Sequence, residues 1–253
     1  MVLVRLFVIF FGWFVVCCSS SYSMEDLPET IKKIKPSIVG VGSYDPLAAP
    51  RMVIQGTGFA VKSGHHIVTN THVIAPIQKT DNLKLVVFVG IGKNAKIYAA
   101  NPVLQNDTYD LAILKVEGVQ LSPMTISAVE AFEGEQVAFT GFPIGAVLGL
   151  FPVTHRGIIS SVTPIAIPAS TSKRLTADLV KRLRKPYFVY QLDATAYPGN
   201  SGSPLYNQNS GEVVGIINKV FVKKTKEAVI SDPSGITYAI PATFLKQMLK
   251  EIP

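Results

Sequence analysis

Short runs of β-branched and aromatic residues, each closed by glycine, proline or polar turn residues, recur through most of this chain and leave little room for long helices. They include residues 58–61, 66–69, 83–89, 111–116, 136–140, 157–162, 187–192 and 213–217. Nineteen glycines and seventeen prolines are spread along the 253 residues rather than gathered in a tract, as a turn-rich globular chain requires. The pattern predicts an all-β barrel or sandwich. Two helices frame it. Leu27, Ile31 and Ile34 fall at helical spacing before Pro36, and Phe244, Leu245, Met248 and Leu249 share a face after Pro241. One segment departs from the β pattern: in 171–185, Leu175, Leu179 and Leu183 line up at i, i+4 and i+8 among six basic residues. It is expected to form a short amphipathic helix.

The first 21 residues carry Arg5, the apolar run from Leu6 to Val16, and then the small residues Cys17, Cys18, Ser19, Ser20 and Ser21. This order reads as a secretory signal peptide, and the run is shorter than the roughly 20 apolar residues of a membrane span. Export to a periplasmic or extracellular location is expected; retention as a membrane anchor, or lipidation of a leader cysteine, is the minor alternative. Both cysteines lie in the leader, so stability must come from packing. The formal charge of +7 suits an acidic partner or an anionic surface, with the basic run 173–185 as the contact, while no aromatic-basic motif points to nucleic acid.

Three fragments supply the parts of an acyl-transfer site. Ser201 lies in Gly199-Asn200-Ser201-Gly202-Ser203-Pro204, where flanking glycines permit a tight turn that exposes the hydroxyl. The N–H groups of Gly199 and Ser201 can then converge on one oxygen as an oxyanion hole. His72 follows the run Ile67-Val68-Thr69, and Asp110 stands at the mouth of Leu111-Ala112-Ile113-Leu114. Each fragment alone is weak: a histidine after a strand is most often structural, and an aspartate before one is most often a turn former. Together, in the order His, Asp, Ser, they match the serine nucleophile, histidine base and orienting carboxylate of chymotrypsin-type chemistry. His65-His66 has no partner at metal-ligand spacing, and no metal or other cofactor is expected.

With those residues in place the chain resembles the protease domain of the high-temperature-requirement (HtrA, or Deg) serine proteases. Residues 36–41, Gly56-Thr57-Gly58-Phe59, Gly141-Phe142-Pro143-Ile144-Gly145, residues 157–160, Asp193-Ala194 and residues 236–241 add to the likeness. The resemblance implies two six-stranded antiparallel barrels with a C-terminal helix and the cleft between them. The expected division is a leader at 1–21, an N-terminal segment and first barrel at 22–135 holding His72 and Asp110, and a second barrel at 136–253 holding Ser201. It further implies polypeptide substrates and self-association through the N-terminal segment, which residues 22–35 leave open. The chain departs from the family in three ways. It ends after the terminal helix, where relatives continue into PDZ domains; Ser203 stands where glycine is usual; and the connection 163–186 is long.

The family frame also places the specificity pocket. Its base falls at Thr195, which is uncharged, and its wall at Asn218, so a small or medium apolar residue is expected before the scissile bond. Lys219 would change this only if it turned inward. Asn200 cannot form the ion pair that orders pancreatic zymogens, so the loop 196–200 must be held by its neighbours. The competing function is a chaperone or binding module that keeps the fold without the catalysis.

Overall fold

The computed structural model describes residues 26–144, 149–165, 186–218 and 236–252. The leader at 1–21, the basic run 171–185 and Lys219 lie outside the described residues. The strands close into two six-stranded barrels, each antiparallel throughout. The first comprises β1 (Ile38–Tyr44), β2 (Met52–Val61), β3 (His66–Thr69), β4 (Lys84–Val89), β5 (Lys96–Asn106) and β6 (Leu111–Val116), in the order β1-β2-β3-β6-β5-β4. The second comprises β7 (Gln136–Gly141), β8 (Val153–Pro164), β9 (Phe188–Asp193), β10 (Pro204–Asn207), β11 (Val213–Ile217) and β12 (Ile236–Pro241), in the order β10-β11-β12-β9-β8-β7. Helix α1 (Leu27–Ile34) precedes the first barrel, α2 (Thr71–Gln78) interrupts it, and α3 (Ala242–Lys250) closes the chain. This is the all-β double barrel with a C-terminal helix that the sequence predicts.

The continuous apolar runs are explained by burial on both faces. In β6, Leu111 and Ile113 join a cluster shared with Tyr206, Val213, Ile216, Leu245 and Met248 of the second barrel and α3. Ala112 and Leu114, one residue out of phase, join Val39, Val41, Ile67 and Val87 in a cluster confined to the first barrel and the linker beyond it. Because successive side chains alternate between faces, a strand buried on both sides shows no polar alternation. Phe139, Ile159, Tyr190, Leu192 and Leu205 form the corresponding cluster of the second barrel. Helix α3 adds Leu245, fully buried, at a gain on the order of 2 kcal/mol. The α3 face is the one predicted: Leu245 and Met248 are buried, with Phe244 and Leu249 partly so.

Candidate active site

Adjacent strands deliver His72 and Asp110 from neighbouring ends. Thr69, the last residue of β3, pairs with Ala112 at the start of β6, so the residues just outside the two strands meet. The chain turns directly from β3 into α2, which is anchored by buried Val73, Ile74 and Ile77, and His72 sits in its first turn. Asp110 precedes β6 with φ +54°, in the left-handed region that aspartate tolerates better than most residues. Its carbonyl then accepts from Asn70 Nδ2 at 2.9 Å and from the Thr71 N–H at 3.3 Å, while Thr71 Oγ1 donates to the Leu111 carbonyl at 3.0 Å. This places the carboxylate against the helix. Oδ1 accepts the His72 backbone N–H at 2.9 Å, and Oδ2 lies 2.5 Å from His72 Nδ1. Facing an ionised carboxylate, Nδ1 must carry a proton, so in the neutral ring Nε2 is the acceptor. The His72 side chain is 31% exposed, so a substrate can reach it.

Ser201 lies on the loop that leads into β10. Gly202, with φ +85°, donates its N–H to the Ile217 carbonyl at 2.9 Å, and the Ser201 carbonyl accepts from the Thr57 N–H on β2 at 2.8 Å. A Cβ on Gly56 would lie 2.7 Å from the Val73 side chain and 3.0 Å from the Ser201 carbonyl oxygen. The serine and the residue after His72 therefore press on the same glycine, from opposite barrels. The loop's orientation is defined by two carbonyls. The Pro198 carbonyl accepts from the Ile144 N–H at 2.6 Å, and the Gly199 carbonyl accepts from Thr57 Oγ1 at 2.7 Å. In a trans peptide the N–H points opposite to the C=O, so pinning Pro198 aims the Gly199 N–H the other way. Gly199 reaches this geometry at φ +103°, which a side chain would resist. Among the described residues, no backbone carbonyl accepts from the Gly199 or Ser201 N–H. Both donors are left for a third party.

The two residues expected to shape specificity both adjoin β12. Ala196 donates its N–H to Thr237 Oγ1 at 3.0 Å, and that hydroxyl donates to the Ala194 carbonyl at 2.6 Å, so Thr195 is bracketed by bonds to Thr237. Asn218 donates its N–H to the carbonyl of the next residue, Tyr238, at 3.0 Å. Neither position carries a charge. Ser203, the departure from the family glycine, is completely buried and points its Oγ to where a Cβ on Gly141 would lie, 2.1 Å away. His66 opens β3 while His65 remains in the preceding turn and meets the Val119 carbonyl at 2.9 Å through Nδ1. Among the described residues no three histidine, cysteine or acidic side chains are grouped to hold a metal. Thr57 appears in the sequence only within the family-like run Gly56-Thr57-Gly58-Phe59, which assigns it no role at the site. It lies between Gly56 and Gly58, and that glycine pair within a strand is the available signal, since it marks close approach of another backbone.

Comparison with known proteins agrees with this architecture. Residues 56–216 match the trypsin-like peptidase domain. The chain is 29% identical over 192 residues to a protein of Pseudomonas putida named as a probable periplasmic serine endoprotease, DegP-like, covering 74% of this chain and 32% of that protein. It is also 29% identical over 198 residues to the serine endoprotease DegS of Haemophilus influenzae, covering 78% of this chain and 49% of that protein. The chain thus spans less than half the length of these relatives. Among solved structures, the active form of a protease from M. tuberculosis superposes with a TM-score of 0.64 at 22% identity, covering 88% of this chain and 83% of that one, which shows the shared fold. The chain belongs to the trypsin-like peptidases, and it is similar to their Deg-type members.

Proposed function

We propose that this protein is a serine endopeptidase, with Ser201 as nucleophile, His72 as general base and acid, and Asp110 as the group that orients and tautomerises the imidazole. The observation that carries the reading is the two-point hold of Asp110 on His72, through the backbone N–H and Nδ1, beside a serine loop with two uncommitted N–H donors. Ser201 Oγ attacks the substrate carbonyl carbon while its proton passes to His72 Nε2. The carbonyl oxygen becomes an oxyanion held by the N–H groups of Gly199 and Ser201. His72 then returns the proton to the departing amine, leaving an acyl-enzyme that water hydrolyses by the same steps in reverse.

The substrates are unfolded or exposed polypeptide segments. Uncharged Thr195 and Asn218 offer no counter-charge for a buried lysine, arginine or carboxylate, so a small or medium apolar side chain is favoured before the scissile bond. The leader composition, together with relatives named as periplasmic, supports an exported protein. Self-association and contact of residues 173–185 with an anionic surface are further parts of the reading, supported by the family likeness and by the net charge of +7 respectively.

The test is labelling by a fluorophosphonate probe together with casein cleavage, comparing the wild type with Ser201→Ala. Labelling and proteolysis should both disappear in the variant, with a loss of about three orders of magnitude or more in rate and unchanged circular dichroism. Proteolysis that persists in purified Ser201→Ala would remove the serine from the mechanism.

A further inference from the structure

We infer that Thr57, outside the catalytic groups proposed above, is a positioning residue by which the first barrel sets the oxyanion loop of the second; the inference rests on the serine-peptidase reading. Thr57 is fully buried on β2 and uses every polar group it has. Its hydroxyl donates to the Gly199 carbonyl at 2.7 Å and accepts from the Phe142 N–H at 3.0 Å. Its backbone N–H donates to the Ser201 carbonyl at 2.8 Å, and its own carbonyl accepts from Thr69 Oγ1 at 2.8 Å. One residue thus touches both loop positions whose N–H groups face the oxyanion. It also touches the turn whose Ile144 holds Pro198, and the strand end that leads into His72.

Beyond the hold of Ile144 on Pro198, the Gly202 bond to Ile217 and two turn bonds of its own, Asn200 N–H to the Tyr197 carbonyl and Ser203 N–H to the Asn200 carbonyl, both 3.0 Å, the loop gains little from its side chains. Glycine at 199 has no intrinsic preference between the peptide orientations that aim its N–H into the cleft or away from it. Asn200 is neutral and completely buried, and neither atom of its side-chain amide has a partner among the described residues; the same holds for Ser203 Oγ. A hydroxyl is the smallest side-chain group that can donate to one carbonyl and accept from one N–H at once. Glycines make room for it: a Cβ on Gly141 would lie 2.7 Å from Thr57 Oγ1, and a Cβ on Gly202 would lie 2.1 Å from the Thr57 carbonyl oxygen. Replacing the hydroxyl by a methyl of the same shape would leave the Gly199 carbonyl and the Phe142 N–H buried without partners. Turning the 199–200 peptide to find another partner would displace the chain between the two donors, and losing the Phe142 bond would loosen the turn whose Ile144 pins the Pro198–Gly199 peptide that carries the Gly199 N–H.

Thr57→Val, Thr57→Ser and Thr57→Ala separate this role from packing. Measurements are kcat and KM on a short apolar peptide, inhibition by a peptide boronate, and the affinity of the same peptide for each variant carried on Ser201→Ala. Thr57→Val should lower kcat by about tenfold to a hundredfold and weaken the boronate in proportion, because both depend on the oxyanion donors. Peptide affinity in the Ser201→Ala background and the far-ultraviolet circular dichroism should stay as they are. Thr57→Ser, which keeps the hydroxyl, should recover most of kcat. Wild-type kcat in Thr57→Val, or a Thr57→Ser no better than Thr57→Val, would overturn the inference. If Thr57→Val does not fold, the Ser and Ala variants decide: serine well above alanine in kcat supports it, and equality overturns it. Failure of the underlying reading would look different, since the wild type itself would then not label with a fluorophosphonate.

Discussion

Asp110 combines two demands that few side chains meet together, a left-handed backbone and a carboxylate aimed at two hydrogen atoms of the following helix. Asparagine shares the backbone tolerance and the shape, so Asp110→Asn isolates the charge. If its amide donates to Nδ1, the ring proton moves to Nε2, where it blocks acceptance from Ser201. The expected outcome is a fall in kcat of about three to four orders of magnitude with fold and peptide affinity retained. Steady-state kinetics on a short peptide, beside circular dichroism of the same preparation, check it; a loss of less than tenfold would mean that Asp110 only shapes the turn. His72 and Asp110 stood out in the sequence beside strong apolar runs and Ser201 between glycines, and the structure brings the first two into contact. The positive φ of Asp110 was not legible there, since aspartate before a strand is equally at home in an ordinary turn. Thr57 was hidden for a different reason: its partners are backbone atoms at positions 199, 142 and 201, which no local pattern brings near residue 57.

At the level of the elements, strands buried on both faces were readable and strands buried on neither were not. β11 and the Leu111–Leu114 part of β6 appear as unbroken apolar runs and were found as such, whereas β5, largely exposed and carrying Pro102 at a register shift, offers no alternation to detect. β8 runs from Val153 to Pro164 but was read only at 157–162, around Ile159, the one fully buried residue of the strand. α2 was missed for a chemical reason. Pro76 interrupts it, and eight residues are too few to show a helical period, so only tertiary packing of Val73, Ile74 and Ile77 makes the helix that holds His72. One of the first barrel's two register shifts can be tested. β1 shifts register against β2 between Val41 and Gly42, and a Cβ on Gly42 would lie 2.0 Å from the Val53 carbonyl oxygen, a backbone atom that cannot swing aside. Gly42→Ala should therefore cost about 2 kcal/mol or more in denaturant unfolding. A variant as stable as the wild type would show that the strand pair relaxes without loss.

Across the whole molecule the two barrels are joined by more than a linker. They share a hydrophobic cluster, and Tyr109, next to Asp110, stacks on Phe244 of α3 at 4.0 Å and meets Tyr187 edge-on at 5.1 Å. Both barrels also carry a histidine whose pKa the fold lowers. Burial lowers the pKa of His155 on β8, where the ring stacks on Phe139 at 4.9 Å. Burial, then the charges of Lys62, Lys115 and His65, lower that of His66 on β3. His155 Nε2 and His66 Nδ1 are buried without a partner among the described residues, so neither site offers the acceptor that an added proton would need. A histidine whose pKa falls on folding takes up its proton more readily in the unfolded chain. Its contribution to stability is thus complete above the unfolded value of about 6.5, and is lost as pH falls through that value toward the folded one. The wild type should show a falling melting temperature from pH 7 to pH 5. His155→Phe, which keeps a stacking ring, and His66→Phe should each flatten that decline. Because the two residues sit in different barrels with no shared partner, their effects should add in the double variant. Differential scanning fluorimetry across that range checks this, with the slope against pH compared rather than the melting temperature at one pH, since each substitution also changes packing. Equal slopes in the wild type and the double variant would assign the acid sensitivity to the carboxylates instead.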